Sequence, residues 1–290
     1  MRNRVISGTT RICGVIGDPI EHTMSPVMHN AVFKEMGMDY VYVAFQVKKE
    51  GLGEAIRGMR ALNIRGLNVT IPHKVNIIPL LDRLDHLAEL IGAVNTVVND
   101  DGVLTGYNTD AEGFLQALLE KGVEPRGKNV VVLGAGGASR AISFILAERG
   151  ADLVILNRTL DKAKECASRI GEVFQKEVKT LDFDNESLAR ALAEADILVN
   201  ATSVGMSPSV DVSPVPSKLL DSRLVVFDIV YNPIKTKLLR EAEAVGTKTV
   251  GGLNMLAWQG ALALELFTGR KAPVNLMRKE AIKVLSGDEK

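Results

Sequence analysis

Short apolar runs separated by longer stretches of helical periodicity recur along this chain, and that alternation narrows the folds open to it more than any other feature. Val41 to Val47, Val130 to Leu133, Leu153 to Leu156, Ile197 to Val199 and Leu224 to Phe227 read as buried strands. The intervening patterns are long enough for helices, which predicts parallel sheets flanked by helices. A chain of 290 residues can hold two such α/β domains, each burying its own core.

The first hundred residues read as strand Ile12 to Gly17, helix Pro26 to Met36, strand Tyr40 to Val47, helix Leu52 to Leu62 and strand Gly66 to Ile71. Val94 to Asn99 and Val103 to Tyr107 flank Asp100-Asp101-Gly102, a hairpin signal that appends an antiparallel pair. Asn108-Thr109-Asp110 then opens a helix. Thr109 with Glu112 three residues on predicts a capping box, which leaves Asp110 available for another role. A second unit runs from near Gly127 to about Ala244. The last pattern, Gly251 to Gly269, carries an apolar side (Leu253, Leu256, Leu264, Phe267) that is expected to return to the first domain. The expected division is 1–110 with 251–290, and 111–250.

Asn68-Val69-Thr70-Ile71-Pro72-His73-Lys74 places polar groups where a buried strand runs out. Leu67, Val69 and Ile71 alternate onto one face, so Asn68 and Thr70 share the other. Pro72 is expected in the first turn of a helix that brings Lys74 just past the strand end. A solvated lysine at a helix start is the competing reading.

Lys128 to Leu133 leads into Gly134-Ala135-Gly136-Gly137-Ala138-Ser139 and then a helical pattern, the strand, tight turn and helix of a dinucleotide-binding unit. Gly134 permits the turn, Gly136 lets the backbone approach a pyrophosphate, and the helix start is its anion site. Ser139 stands where a third glycine is usual. The next strand ends in Asn157-Arg158-Thr159, where NAD-specific folds place an acid on the ribose. No acid is there. Arg158, with Lys162, is suited to a 2′-phosphate, which predicts NADP.

The 35 basic and 35 acidic residues cancel and neither sign gathers into a block, so nucleic acid and membrane surfaces are not the expected partners. Cys13 and Cys166 lack metal-type spacing and suggest a reducing, cytoplasmic setting. The histidines His22, His29, His73 and His86 form no metal pattern. Hydride transfer to a nicotinamide needs a group that handles the alcohol proton, and Lys74 and Asp110 are the best candidates. Taken singly, Asp110 is better explained by favourable placement in a helix's first turn.

Taken together these motifs resemble the NADP-dependent shikimate dehydrogenase family over nearly the whole chain. The resemblance rests on Asn68 to Lys74, Asn108-Thr109-Asp110, Gly134 to Ser139, Asn157-Arg158-Thr159 with Lys162, and Gly251-Gly252-Leu253-Asn254-Met255 through Gln259. It implies a small α/β substrate domain and a Rossmann-type doubly wound dinucleotide-binding domain with a hinged cleft between them. It implies that Lys74 and Asp110 are the catalytic pair for shikimate and 3-dehydroshikimate, on the route to chorismate and aromatic amino acids. Thr23 and Ser25 then match paired serines that hold the substrate carboxylate, and Thr70, Asn95, Asp110 and Gln259 grip ring hydroxyls with help from Tyr231. Gly134, Ala135, Gly136, Gly137, Ala138, Asn157, Arg158, Thr159 and Lys162 hold NADP. Gly252 and Met255 lie against its nicotinamide, with Ile229 or Val230 near it. Ser25 also reads as a helix N-cap before Pro26. Thr23 departs from the family's serine by one methyl, which leaves quinate open as a substrate. A quinate/shikimate dehydrogenase of broader use, a noncatalytic dinucleotide-binding regulator and a homodimer remain as alternatives to test.

Overall fold

The structure, a computed structural model, describes residues 6–287. It divides into two compact units: the chain up to Thr109 together with the chain from Gln259 onward, and Asp110–Trp258.

In the first unit, β1 (Arg11–Gly17), β2 (Tyr40–Gln46), β3 (Gly66–Val69), β4 (Arg83–Leu84), β5 (Thr96–Asp100) and β6 (Val103–Tyr107) form one sheet in the order β2-β1-β3-β5-β6-β4. β1 pairs parallel with β2 and β3, whereas β5 runs antiparallel to β3 and β6. The β5–β6 loop is the predicted hairpin. Asp101 and Gly102 sit at φ 52° and 92° between the paired Asp100 and Val103, the left-handed geometry that suits a two-residue turn. Helices α1 (Ser25–Glu35), α2 (Leu52–Ala61) and α3 (His86–Ile91) belong to this unit. α2 buries Leu52, Ile56 and Met59, the stripe that its spacing requires. Those side chains join Ile16, Leu67, Val69, Ile77, Val97 and Leu104 in one core.

The second unit opens with α4 (Asp110–Leu119). Its six strands, β7 (Asn129–Leu133), β8 (Asp152–Asn157), β9 (Lys179–Asp182), β10 (Ile197–Asn200), β11 (Val225–Asp228) and β12 (Lys248–Gly251), are ordered β12-β11-β10-β7-β8-β9. All its pairings are parallel. The order reverses between β7 and β10, the switch point where doubly wound sheets take ligands. α5 (Gly137–Glu148), α6 (Leu160–Phe174), α7 (Asn185–Leu192) and α8 (Lys237–Ala244) complete the alternation.

The long α9 (Gly252–Thr268) belongs to both units, and α10 (Val274–Ser286) follows it. The sequence placed the second boundary ahead of this helix; it lies inside it, between Trp258 and Gln259. The reason is packing. A Cβ on Gly252 would run into the carbonyl of Ile229, whereas Gly260 lies against Met28, His29 and Met277, and Phe267 covers Gly66. Arg65 Nε fixes the far end by donating to Phe267 O at 2.8 Å.

Three local expectations are corrected. β3 stops at Val69, and Ile71 is 63% exposed, so the alternation does not continue through it. Pro72 does not begin a helix: the Ile71–Pro72 bond is cis and His73 N donates to Thr70 O at 2.9 Å, closing a turn. Ser25 is the first residue of α1, with Met24 at the N-cap and no side-chain cap bond, so the hydroxyl of Ser25 is not spent on capping.

Candidate functional site

The strand directions of the first unit bring its polar candidates to one edge of the sheet. β1 and β3 end there, β5 starts there, and β6, antiparallel to β5, ends there again. Thr23 and Ser25 therefore follow β1, Thr70 and Lys74 follow β3, Asn95 precedes β5, and Asn108 and Thr109 follow β6. Asp110 is the next residue and the first of α4.

Hydrogen bonds hold these segments together. Val94 N donates to Lys74 O at 2.7 Å and Val69 N donates to Asn95 O at 2.8 Å. Asn95 Oδ1 takes the Thr109 amide at 2.7 Å, and Asn95 Nδ2 donates to Thr109 Oγ1 at 2.9 Å. A capping box would send that Thr109 amide to Glu112. It goes to Asn95, and Glu112 instead accepts from Gln116 Nε2 at 2.6 Å. Thr23 Oγ1 donates to Ser25 Oγ at 3.3 Å and accepts the Ser25 amide at 3.3 Å, so the two hydroxyls sit side by side. The ring of His73, fully buried, meets Val47 O through Nε2 at 2.6 Å. That bond anchors the turn carrying Lys74 to the chain leaving β2.

One residue here escaped sequence reasoning. Tyr42, 1% exposed, donates from its hydroxyl to Asn68 Oδ1 at 2.7 Å and also meets the side chain of Ser25. Burial holds the phenol well above its ordinary pKa, so it stays a donor. Asn68 in turn donates to Thr96 Oγ1 at 3.0 Å. In sequence, Tyr42 is one more aromatic in an apolar strand, and nothing local marks it as a strut beneath two site residues.

In the second unit, Gly134 has φ 108° and lies so close to Ala201 O that a Cβ would sit 3.1 Å from it. Only glycine suits that conformation and that approach. Ser139 occupies the third-glycine position by turning inward: it is fully buried and donates to Gly134 O at 2.5 Å. Space above Gly136 is open to 4 Å, at the N-terminus of α5, which is the arrangement a pyrophosphate needs. Gly137 and Ala138 begin that helix. Asn157 Nδ2 donates to Thr159 O at 2.8 Å, shaping the turn after β8, and Arg158, Thr159 and Lys162 are exposed there. A cradle of open backbone amides with two cations and no acid at the end of β8 fits a dinucleotide carrying a 2′-phosphate. Ile229 and Tyr231 follow β11, and Gly252 and Met255 occupy the first turn of α9. Burial raises the Tyr231 phenol above its usual value. Gln259 lies further along α9, in the first unit.

Family models describe three consecutive parts of the chain: the shikimate dehydrogenase substrate-binding domain over 15–97, shikimate/quinate 5-dehydrogenase over 117–246, and the shikimate 5′-dehydrogenase C-terminal domain over 252–282. A shikimate dehydrogenase (NADP+) of Methanopyrus kandleri is 50% identical over 97% of this chain and 98% of its own. The chain belongs to the shikimate dehydrogenase family. Among solved structures, a shikimate dehydrogenase in complex with NADP+ superposes with a TM-score of 0.92 at 44% identity, covering 97% of this chain and 98% of the other. Shikimate 5-dehydrogenase from Listeria monocytogenes, in complex with shikimate and NAD, gives 0.88 at 43% identity over 96% and 98%. Membership of this family accounts for the pairing of an α/β unit with a Rossmann sheet in one chain.

Among the described residues, no group of His, Cys, Asp and Glu is placed to hold a metal ion, and no helix is long and apolar enough to cross a membrane. Cys13 and Cys166 are buried free thiols, pushed up to about 12 and about 11 by burial.

Proposed function

We propose that this chain is an NADP-dependent shikimate dehydrogenase that interconverts 3-dehydroshikimate and shikimate. The observation that carries the reading is the convergence of Thr23, Ser25, Thr70, Lys74, Asn95 and Thr109 on one sheet edge. The same chain has a Rossmann unit whose β8 is followed by Arg158 and not by an acid.

NADP, when bound, supplies the hydride acceptor or donor. The residues of the chain do the rest. Thr23 and Ser25 present two adjacent hydroxyls to the substrate carboxylate. Thr70, Asn95 and Gln259 orient the ring hydroxyls, with Tyr231 assisting. Lys74 and Asp110 hold and move the proton of the reacting hydroxyl, the division of labour that the family resemblance implies. Gly134 to Ala138 seat the pyrophosphate, Arg158 and Lys162 pair with the 2′-phosphate between Asn157 and Thr159, and Ile229, Gly252 and Met255 face the nicotinamide. Buried thiols and a small-molecule substrate suit a cytoplasmic enzyme.

Initial-rate oxidation of shikimate and of quinate, with NADP and with NAD separately, tests the proposal through the absorbance of reduced cofactor. Turnover confined to shikimate with NADP is expected. Comparable quinate or NAD rates would move the enzyme to the broader dehydrogenase group, and absence of all turnover by a protein that binds NADP would overturn the catalytic reading.

A further inference from the structure

Asp228 is the last residue of β11, fully buried, and among the described residues none of its hydrogen-bond donors is a cation. Asn200 Nδ2 donates to its Oδ1 at 2.9 Å, Val230 N donates to the same oxygen at 3.0 Å, and Thr236 Oγ1 donates to Oδ2 at 2.6 Å. The three donors come from three segments. Asn200 ends β10, and its Oδ1 accepts the amide and hydroxyl of Thr202 at 3.1 and 2.6 Å while its amide also reaches Val204 O at 3.2 Å. Val230 lies in the chain leaving β11. Thr236 is the N-cap of α8 and accepts Leu239 N at 3.3 Å.

A carboxylate is an unfavourable group to bury without a cation. A position that served strand packing alone would be better filled by an apolar side chain, as Val225, Val226 and Phe227 are earlier in the same strand. Three converging donors require a group that only accepts and has two oxygens set on a short stem, and ionised aspartate meets that description. The hub also faces a rigid counterpart. Ile229 N donates to Asn200 O at 3.0 Å, and the Ile229 carbonyl lies against Gly252 so closely that a Cβ there would overlap it. The backbone of Ile229 and Val230 is thus held by β10 and Asp228 on one side and by the start of α9 on the other.

We propose that Asp228 is a positioning residue for the nicotinamide end of the cofactor site, setting the backbone of Ile229 to Tyr231 against the first turn of α9. The proposal rests on the reading that Ile229, Gly252 and Met255 face the nicotinamide. It separates two parts of one cofactor site: the glycine turn and Arg158 hold the adenine and phosphate end, and Asp228 governs the reacting end without touching the substrate.

The test compares wild type with D228A, D228N and, as a control, R158A, measuring kcat for shikimate oxidation, KM for NADP, and the Kd of adenosine 2′,5′-bisphosphate, a cofactor fragment that lacks nicotinamide. For D228A, kcat is expected to fall about tenfold or more while the fragment binds as in wild type. D228N keeps one acceptor oxygen and can present its amide to the rotatable Thr236 hydroxyl, so it should recover most of the lost kcat. An unchanged kcat in folded D228A overturns the proposal. Parallel loss of kcat and fragment binding also overturns it, since that marks a structural role in the whole unit. If D228A does not fold, T236V removes a single donor, and a full kcat for both T236V and D228N overturns the proposal equally. R158A should lose fragment binding whatever Asp228 does; if it does not, the cofactor-site reading itself fails, and the two failures are told apart.

Discussion

Asn95 accepts the backbone amide of Thr109 at 2.7 Å through the same side-chain oxygen that takes the hydroxyls of Thr96 and Thr109 at 3.0 and 3.2 Å. One amide therefore ties the start of β5 to the residue before Asp110. Replacing Asn95 with leucine leaves a buried N–H and two hydroxyls without that acceptor. We expect a loss of roughly 1–3 kcal/mol in unfolding free energy together with a raised KM for shikimate. Urea denaturation and steady-state kinetics on the same preparation would show both, and a variant with wild-type stability would dismiss the role of this oxygen.

Lys74 sits in the turn closed by Ile77 N donating to His73 O at 3.0 Å, not in a helix. Its backbone is held independently of its side chain, so K74A should keep the turn. We expect kcat to fall by roughly 10²- to 10⁴-fold with NADP binding unchanged by fluorescence titration. Undiminished turnover would remove Lys74 from the chemistry.

Arg158 lies exposed at the end of β8, beyond the core, so its removal should not affect folding. R158A is expected to raise KM for NADP about ten- to hundredfold, the scale of a charge-assisted pair, and to change KM for NAD little. Equal increases for both cofactors would rule out the 2′-phosphate role.

His29 is buried among Phe33, Tyr42 and Phe267, stacked on Tyr42 at 4.2 Å between ring centroids, and burial depresses its pKa from 6.5 to about 3. The unfolded chain then binds a proton that the folded chain refuses, so this residue's effect on stability is neutral above pH 6.5 and becomes destabilising as pH falls. Relative to H29F, the wild type should lose roughly 2 kcal/mol between pH 7 and pH 5. Parallel stability curves for the two proteins over that interval would contradict the assignment.

Asp228 acts in the opposite sense. Burial raises its pKa from 3.8 to about 6, partly offset by hydrogen bonds from Thr236, Val230 and Asn200. The folded chain holds the proton longer, so its contribution to stability falls as pH rises from about 4 to about 6. D228N should flatten that fall, worth at most about 3 kcal/mol, in thermal melts across the interval.

Much of this architecture was legible because it is local. The Asp101-Gly102 hairpin, the glycine turn after β7 and the stripe on α2 each follow from residues a few positions apart. The misreadings arose where a distant group decided the outcome. Ile71 continues an alternation in sequence, but the strand ends at Val69 as the chain turns towards the buried ring of His73. Thr109 carries a capping-box signature, but Asn95 takes its amide. Ser25 looks like an N-cap, yet the helix begins on it. Tyr42 and Asp228 were missed for a related cause: Asn68 and Ser25, which meet Tyr42, and Asn200 and Thr236, which donate to Asp228, belong to other elements of the fold, and no side chain next to either residue in sequence marks it.

The Arg65 to Phe267 bond and the cover that Phe267 gives Gly66 bear on the order in which the chain can mature. The sheet of the first unit is made early during synthesis, but the side chain that seals one end of its core arrives some two hundred residues later. Until then, the ribosome holds out a half-finished module. The Rossmann unit, continuous in sequence, can close first, so a segment translated after it completes the unit translated before it.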